Sequence, residues 1–226
     1  MKNSFKFPMK KSEKIIGCIC IPVHAAFLPL LLLFIYDLAG LTIDSSYQTL
    51  IHYTLSFLIL IGTMMRFLRA SFSDFIENFF RTVQAVILGY AMYFVLSWLL
   101  TKIIGAPANP NTTEVVSEVK QNVKVMIAVS GVLAPIVEET IFRGALFGTI
   151  RQKSRIAAYI VSIFIFALYH LWQFFITGFD WGHLVYMLQY VPAGIALAWS
   201  YEYANTVWSP ILLHAVINFI ILTQYL

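Results

Sequence analysis

The stretch IIGCICIPVHAAFLPLLLLFIY, Ile15–Tyr36, runs for 22 residues without one Asp, Glu, Lys or Arg. At about 1.5 Å of rise per helical residue it reaches roughly 33 Å, enough to cross a hydrocarbon core about 30 Å thick. Lipid offers open backbone groups no partner, so such a run must be helical. Six further apolar runs follow: Tyr47–Met65, Thr82–Leu100, Val125–Ile150, Ile156–Ile176, Leu184–Tyr201 and Val207–Leu226. The expected fold class is all-α: a polytopic transmembrane helix bundle of about seven spans. Composition agrees. Of 226 residues, 60% are apolar and only 12% charged, and mean hydropathy is +0.79. An ordinary soluble domain carries about 25% charged residues. A soluble globular protein, a disordered chain and a fibrous repeat are excluded.

The net charge of +4 does not point to nucleic acid, because the basic residues sit in short loops between apolar runs. That is how topology signals beside anionic lipid are arranged. With the N-terminus inside, the inner loops hold eleven basic residues: Lys2, Lys6, Lys10, Lys11, Lys14, Arg66, Arg69, Arg81, Arg151, Lys153 and Arg155. The outer loops hold three, Lys102, Lys120 and Lys124. The expectation is an integral membrane protein of a bacterial cell membrane with a cytoplasmic N-terminus. The first run is too long for a signal-peptide core. Cys18 and Cys20 lack disulfide or zinc spacing and read as packed or lipid-facing small residues.

Two connectors are more than turns. Phe67–Phe80 places Phe67, Leu68, Phe72, Phe75, Ile76 and Phe79 at helical intervals, which predicts an amphipathic helix on the cytoplasmic face. Gly105–Lys124 begins Pro/Asn-rich, contains a formal sequon at Asn111, and turns polar with a helical pattern. The whole reads as a single membrane domain over 1–226. Spans and connectors fill 1–124, and the polar motifs lie in 125–226.

Ionisable groups inside a span are costly and normally face a polar interior. Here they fall in three runs. The fourth reads VLAPIVEETIFRGALFG, with Glu138, Glu139 and Arg143; the fifth ends IFIFALYHLW, with His170; the last reads WSPILLHAVINFIIL, with His214 and Asn218. Helix neighbours lie about 100° apart, whereas i and i+4 share a face. Glu139 therefore pairs with Arg143, and Glu138 points elsewhere. His214 and Asn218 face one way, as do Phe166 and His170. Counted by helical rise, Glu138, His170 and Asn218 lie about 17–21 Å from the inner ends of their runs, so the three helices can converge. Pro135 is placed to kink the fourth run, and Gly131, Gly144 and Gly148 to permit close helix approach. Pro210 either kinks the last run or opens a shorter helix behind Ser209.

Peptide hydrolysis needs an activated water and a stabilised oxyanion. A glutamate in low dielectric suits a general base near neutral pH, which makes Glu138 the candidate, with His170 sharing the water. His214 and Asn218 can donate hydrogen bonds to the oxyanion. In order, EExxxR, FxxxH and HxxxN resemble the motifs of the CAAX-protease and bacteriocin-processing membrane peptidases (the Abi family), which include the Rce1-type prenyl-protein endopeptidase. The resemblance covers about the last hundred residues. It implies a glutamate-dependent intramembrane endopeptidase with catalytic Glu138, His170, His214 and Asn218, supported by Glu139, Arg143 and Phe166. It also implies a membrane-associated, prenyl-like or small peptide substrate.

Rival readings differ in what they need. A purely structural Glu-Glu-Arg ion network, a non-proteolytic scaffold or bacteriocin self-immunity protein, and a proton-coupled carrier all use the same residues. The carrier lacks an inverted repeat. HExxH, GxGD and a rhomboid-type serine motif are absent. No cofactor is expected, with zinc on Glu138, Glu139, His170 and His214 as the alternative. His24 and His52 lack polar company and read as packing. His183 reads as interfacial beside Trp181, and Asp180 and Glu202 as solvated.

Overall fold

The computed structural model describes residues 5–105, 107–178 and 180–225. Lys2 of the basic set, Ala106 and Phe179 in two connectors, and Leu226 of the last run lie outside the described residues. Among those described there are ten helices and no strand. They are α1 Lys11–Leu38, α2 Ser45–Glu77, α3 Phe79–Ile104, α4 Pro110–Gln121 and α5 Val123–Arg151. Then follow α6 Arg155–Tyr169, α7 Trp172–Thr177, α8 Gly182–Leu188, α9 Val191–Ala204 and α10 Trp208–Leu222. The protein is an all-α membrane helix bundle.

All seven apolar runs are helical, but they are not seven full spans. Among the described residues, only α1, α2, α3 and α5 are long and apolar enough to cross a membrane. With 15, 14 and 15 residues, α6, α9 and α10 rise only about 21–22 Å each. The fifth run breaks at His170–Leu171, where the Leu171 N–H closes a tight turn onto the Leu168 carbonyl. The sixth breaks at Gln189–Tyr190, just ahead of Pro192 in the first turn of α9. Proline has no N–H to lose in a helix's first turn, so α9 starts there. Asn205, in the left-handed conformation, ends α9. The last helix then starts at Trp208 with Pro210 in its first turn, the shorter-helix alternative, although Ser209 is not its cap.

The expected interfacial helix over 67–80 is instead the continuation of α2 to Glu77. Only the first turn of its amphipathic face is covered by protein, while Phe72, Ile76 and Phe79 stay exposed. Ser71 Oγ accepts the Val207 N–H at 2.8 Å, and the Thr206 hydroxyl donates to the Ser71 carbonyl at 2.6 Å. Trp208 Nε1 donates to the Leu68 carbonyl. Phe67 and Leu68 are buried there.

Two helices carry a π turn just before a proline, Val23–Phe27 in α1 and Val129–Leu133 in α5. Leu28 N–H bonds to the Val23 carbonyl, and Ala134 N–H to that of Val129, each five residues back. The next carbonyls, of His24 and Ser130, would need an N–H from Pro29 and Pro135, which have none. Side chains of other helices supply it: His52 Nε2 donates to the His24 carbonyl at 2.9 Å, and Asn218 Nδ2 to that of Ser130 at 2.8 Å. Pro135 is thus absorbed by a π turn in a continuous α5. Such turns recur at functional sites.

The glycine expectations need correction. A Cβ on Gly131 would meet nothing within 4 Å. Gly144 and Gly148 accommodate the rings of Phe67 and Phe7, not a neighbouring backbone. The close approach is at Gly17, where a Cβ would come within 2.3 Å of that of Ala145 and so press α1 into α5.

The N-terminal segment and the basic loops gather at one end of the bundle. Lys6 N–H donates to Asn205 Oδ1 at 2.8 Å, Arg66 pairs with Glu13, and the Arg151 guanidinium lies over the Phe5 ring. Glu202 is not simply solvated: it accepts from Arg151 at 2.6 Å, Arg155 at 2.9 Å and Tyr159 at 2.8 Å.

Candidate active site

Four helices and a turn converge around Glu138 and Glu139, on α5. The pair divides as the 100° rule requires. Glu139 Oε1 accepts from Arg143 Nη1 at 3.0 Å, one helical turn on, with both side chains fully buried. The same oxygen accepts from His214 Nδ1 of α10 at 2.8 Å. The Arg143 guanidinium lies 4.1 Å from the centre of the Phe166 ring, so Phe166 of α6 supports the cation from its face. Glu139, Arg143, Phe166 and His214 are thus one packed unit.

Glu138 turns away from it. Its Oε1 accepts from the Tyr53 hydroxyl of α2 at 2.7 Å. Its Oε2 is buried, accepts no hydrogen bond among the described residues, and lies 3.8 Å from His170 Nε2. His170 sits in the turn after α6, where Nδ1 donates to the Phe166 carbonyl at 2.8 Å and the ring stacks on Tyr190 at 4.4 Å. Because a carbonyl only accepts, Nδ1 carries the hydrogen, and Nε2 of the neutral ring is an acceptor aimed at Glu138.

A cavity of about 350 Å³ opens on Glu138, His170, His214 and Asn218. All four expected catalytic residues therefore meet on one wall. Asn218 differs in one respect: one amide hydrogen holds the Ser130 carbonyl, leaving its second for another acceptor. Among the described residues, no three His, Cys, Asp or Glu side chains form a set that could hold a metal ion.

The far wall comes from α4, outside the spans, whose N-cap Asn109 accepts the Asn111 N–H at 3.0 Å. Glu114 accepts from Gln173 at 2.9 Å and Glu118 from Thr49 at 2.8 Å. Burial, with the Glu114 charge adding to it and the Thr49 bond opposing it, pushes the Glu118 carboxyl up to about 7. Between its ordinary value near 4.5 and about 7, the folded chain then holds a proton that the unfolded chain has lost. Stability from this group is therefore highest below that window and falls as pH rises through it. Glu118→Gln should melt at a temperature close to wild type at pH 4.5 and increasingly above it by pH 8, measured in one detergent. A gap that shrinks with rising pH contradicts this.

Comparison with known proteins covers the same part of the chain. Residues 120–220 match the family model described as "Type II CAAX prenyl endopeptidase Rce1-like". Residues 120–220 are Rce1-like. The resemblance drawn from the three motifs stands, and all of them lie inside the Rce1-like segment. The chain is also similar to "Putative membrane peptidase YdiL" of Bacillus subtilis (strain 168). Identity there is 30% over 124 residues, 54% of this chain and 46% of that protein. It is similar to "UPF0177 protein YxdF" of Lactococcus lactis subsp. lactis (strain IL1403), 32% identical over 88 residues, 39% of this chain and 43% of that one. For "UPF0177 protein YaiF" of the same strain, identity is 37% over 95 residues, 41% and 36% of the two chains. The chain spans under half the length of each of these relatives. No solved structure matches it.

Outside the Rce1-like segment, sequence reasoning missed Tyr53 and His24, and inside it Tyr169 and Tyr190. His24 and His52 are not mere packing. His24 bonds to Ser56 and Tyr169, each at 2.8 Å, and the two imidazoles stack at 4.6 Å. Aromatic residues in apolar runs carry no signal of their own.

Proposed function

We propose that the protein is an intramembrane endopeptidase in which Glu138 and His170 activate the hydrolytic water. One observation carries the reading: two acceptors, Glu138 Oε2 and His170 Nε2, face each other across 3.8 Å at the cavity wall. A water admitted beside the pair donates one hydrogen to each, which leaves its lone pair for a carbonyl carbon. As that water attacks, one proton passes to Glu138 Oε2 and the carbonyl electrons move onto oxygen. Glu138 then gives the proton to the amide nitrogen as the C–N bond breaks. His214 and the second amide hydrogen of Asn218 stabilise the oxyanion. With Nδ1–H committed to Glu139, His214 Nε2 donates to the oxyanion only as the imidazolium.

The Rce1-like match and the name of the B. subtilis relative support peptide-bond hydrolysis. The substrate class proposed is a membrane-associated, prenyl-like or small peptide, without a metal or cofactor. The basic loops, gathered with the N-terminal segment, support a cytoplasmic N-terminus in a bacterial cell membrane. The test is purified protein in detergent with a mixed prenylated and unprenylated peptide library, products read by mass spectrometry. Internal cleavage that persists under exhaustive chelation is the expected result. Stoichiometric zinc, with activity lost on stripping and restored on re-addition, would overturn the metal-free reading. A folded protein that cleaves nothing would favour the scaffold or immunity role.

A further inference from the structure

From Glu138 a file of polar groups runs through otherwise apolar helices; its first members, Tyr53 and Tyr169, also line the cavity, and its far end is buried. The Tyr53 hydroxyl, bonded to Glu138 Oε1, lies 2.9 Å from that of Tyr169. The Tyr169 hydroxyl lies 2.8 Å from His24 Nε2, and His24 Nδ1 lies 2.8 Å from Ser56 Oγ. His24 and Ser56 are buried, so each bond has to be satisfied within the file.

The direction of every bond follows from its end. A carboxylate oxygen only accepts, so the single hydrogen of Tyr53 is committed to Glu138. The Tyr53 oxygen must then accept from Tyr169, whose own hydrogen is thereby spent. The Tyr169 oxygen accepts from His24 Nε2–H, which makes Nδ1 the acceptor for the Ser56 hydroxyl. All four donors point toward Glu138. The π turn assists at the far end. It frees the His24 carbonyl for His52 Nε2, and the His52 ring, stacked on His24, fixes the imidazole plane.

We propose that Tyr53, Tyr169 and His24 are positioning residues that commit Glu138 Oε1 to accepting, and so hold the proton taken during hydrolysis on Oε2. For the proton to sit on Oε1, Tyr53 would have to accept it. Tyr53 would then donate to Tyr169, Tyr169 to His24 Nε2, and His24 would have to carry its hydrogen on Nδ1 against Ser56. Within the file, one oxygen changes role only if every member reverses. Oε2 faces His170, so the lock keeps the proton on the oxygen beside the residue that shares the water. The proposal rests on Glu138 being the base.

The test has two arms on the full chain in detergent. In the first, which needs no substrate, infrared difference spectra taken across a pH jump identify the Glu138 carboxyl band by its loss in Glu138→Gln. Tyr53→Phe and His24→Leu should shift that band, and His24→Gln, whose amide N–H stands in for Nε2–H, should return it. In the second arm, on a peptide cleaved in the library, Tyr53→Phe and His24→Leu should lower kcat about 10- to 100-fold, as expected for a mis-set catalytic group. KM should stay within about twofold, and His24→Gln should recover most of the loss. A purely structural role would lower melting temperature without this split or rescue. The relay is overturned if the band ignores Tyr53→Phe and His24→Leu, or if His24→Gln is no better than His24→Leu. A band that responds as stated while Glu138→Gln still cleaves would overturn the base assignment alone and leave the relay standing.

Discussion

Glu138→Gln should lower peptide cleavage by about 10³-fold or more while the protein still folds, since a positioned base contributes about 10²–10⁴-fold. The substitution keeps shape and hydrogen bonding. The amide oxygen can accept from Tyr53 as Oε1 does, which turns the amide nitrogen toward His170 Nε2, a ready acceptor. No buried charge is left without company, so the melting temperature should hold or rise. What is lost is the capacity to take a proton from water, and the amide hydrogens now occupy the acceptor that a water would use. Initial rates and thermal melts on the same preparation are the measurement. A variant that cleaves at the wild-type rate removes Glu138 from the role of base.

Arg143→Leu should cost the most stability. Both partners of the Arg143–Glu139 pair are fully buried, and removing one leaves an uncompensated charge, a loss of about 3–5 kcal/mol by analogy with soluble proteins. His214 also bonds to Glu139 Oε1, so part of the compensation survives and the lower end of that range is expected. Adding Glu139→Gln should recover part of the loss, whereas adding Glu138→Gln should not. A double-mutant cycle on melting in detergent separates them. Coupling of Arg143 to Glu138 in place of Glu139 would invert the assignment of base and support.

The site was legible wherever helical periodicity and spacing suffice. EExxxR fixes a split between two adjacent carboxylates, and the split is there: Glu139 on Arg143, Glu138 facing His170. HxxxN puts His214 and Asn218 on the cavity side together. What Asn218 holds was not legible, because its acceptor exists only through a π turn that hydropathy does not register. The helix break at His170 was hidden for a similar reason: Leu171 and Trp172 extend the apolar run, while the backbone turns. Over 67–80, amphipathicity was read correctly but not the continuity with α2, and the α9–α10 turn covers only the first turn, leaving Phe72, Ile76 and Phe79 exposed. Tyr53 and Tyr169 lie 116 residues apart, and no local pattern joins them.

Pairing a π turn with a proline also changes which substitutions the site tolerates. The acceptor that holds Asn218 belongs to the main chain of residue 130, so drift in that residue's side chain leaves it intact. The same is true of the His24 carbonyl under His52. Vulnerability moves to Pro135 and Pro29, where any residue with an N–H returns the carbonyl to its own helix. Two imino acids that touch no reacting atom thereby become points of mutational fragility, and the positions they serve become robust.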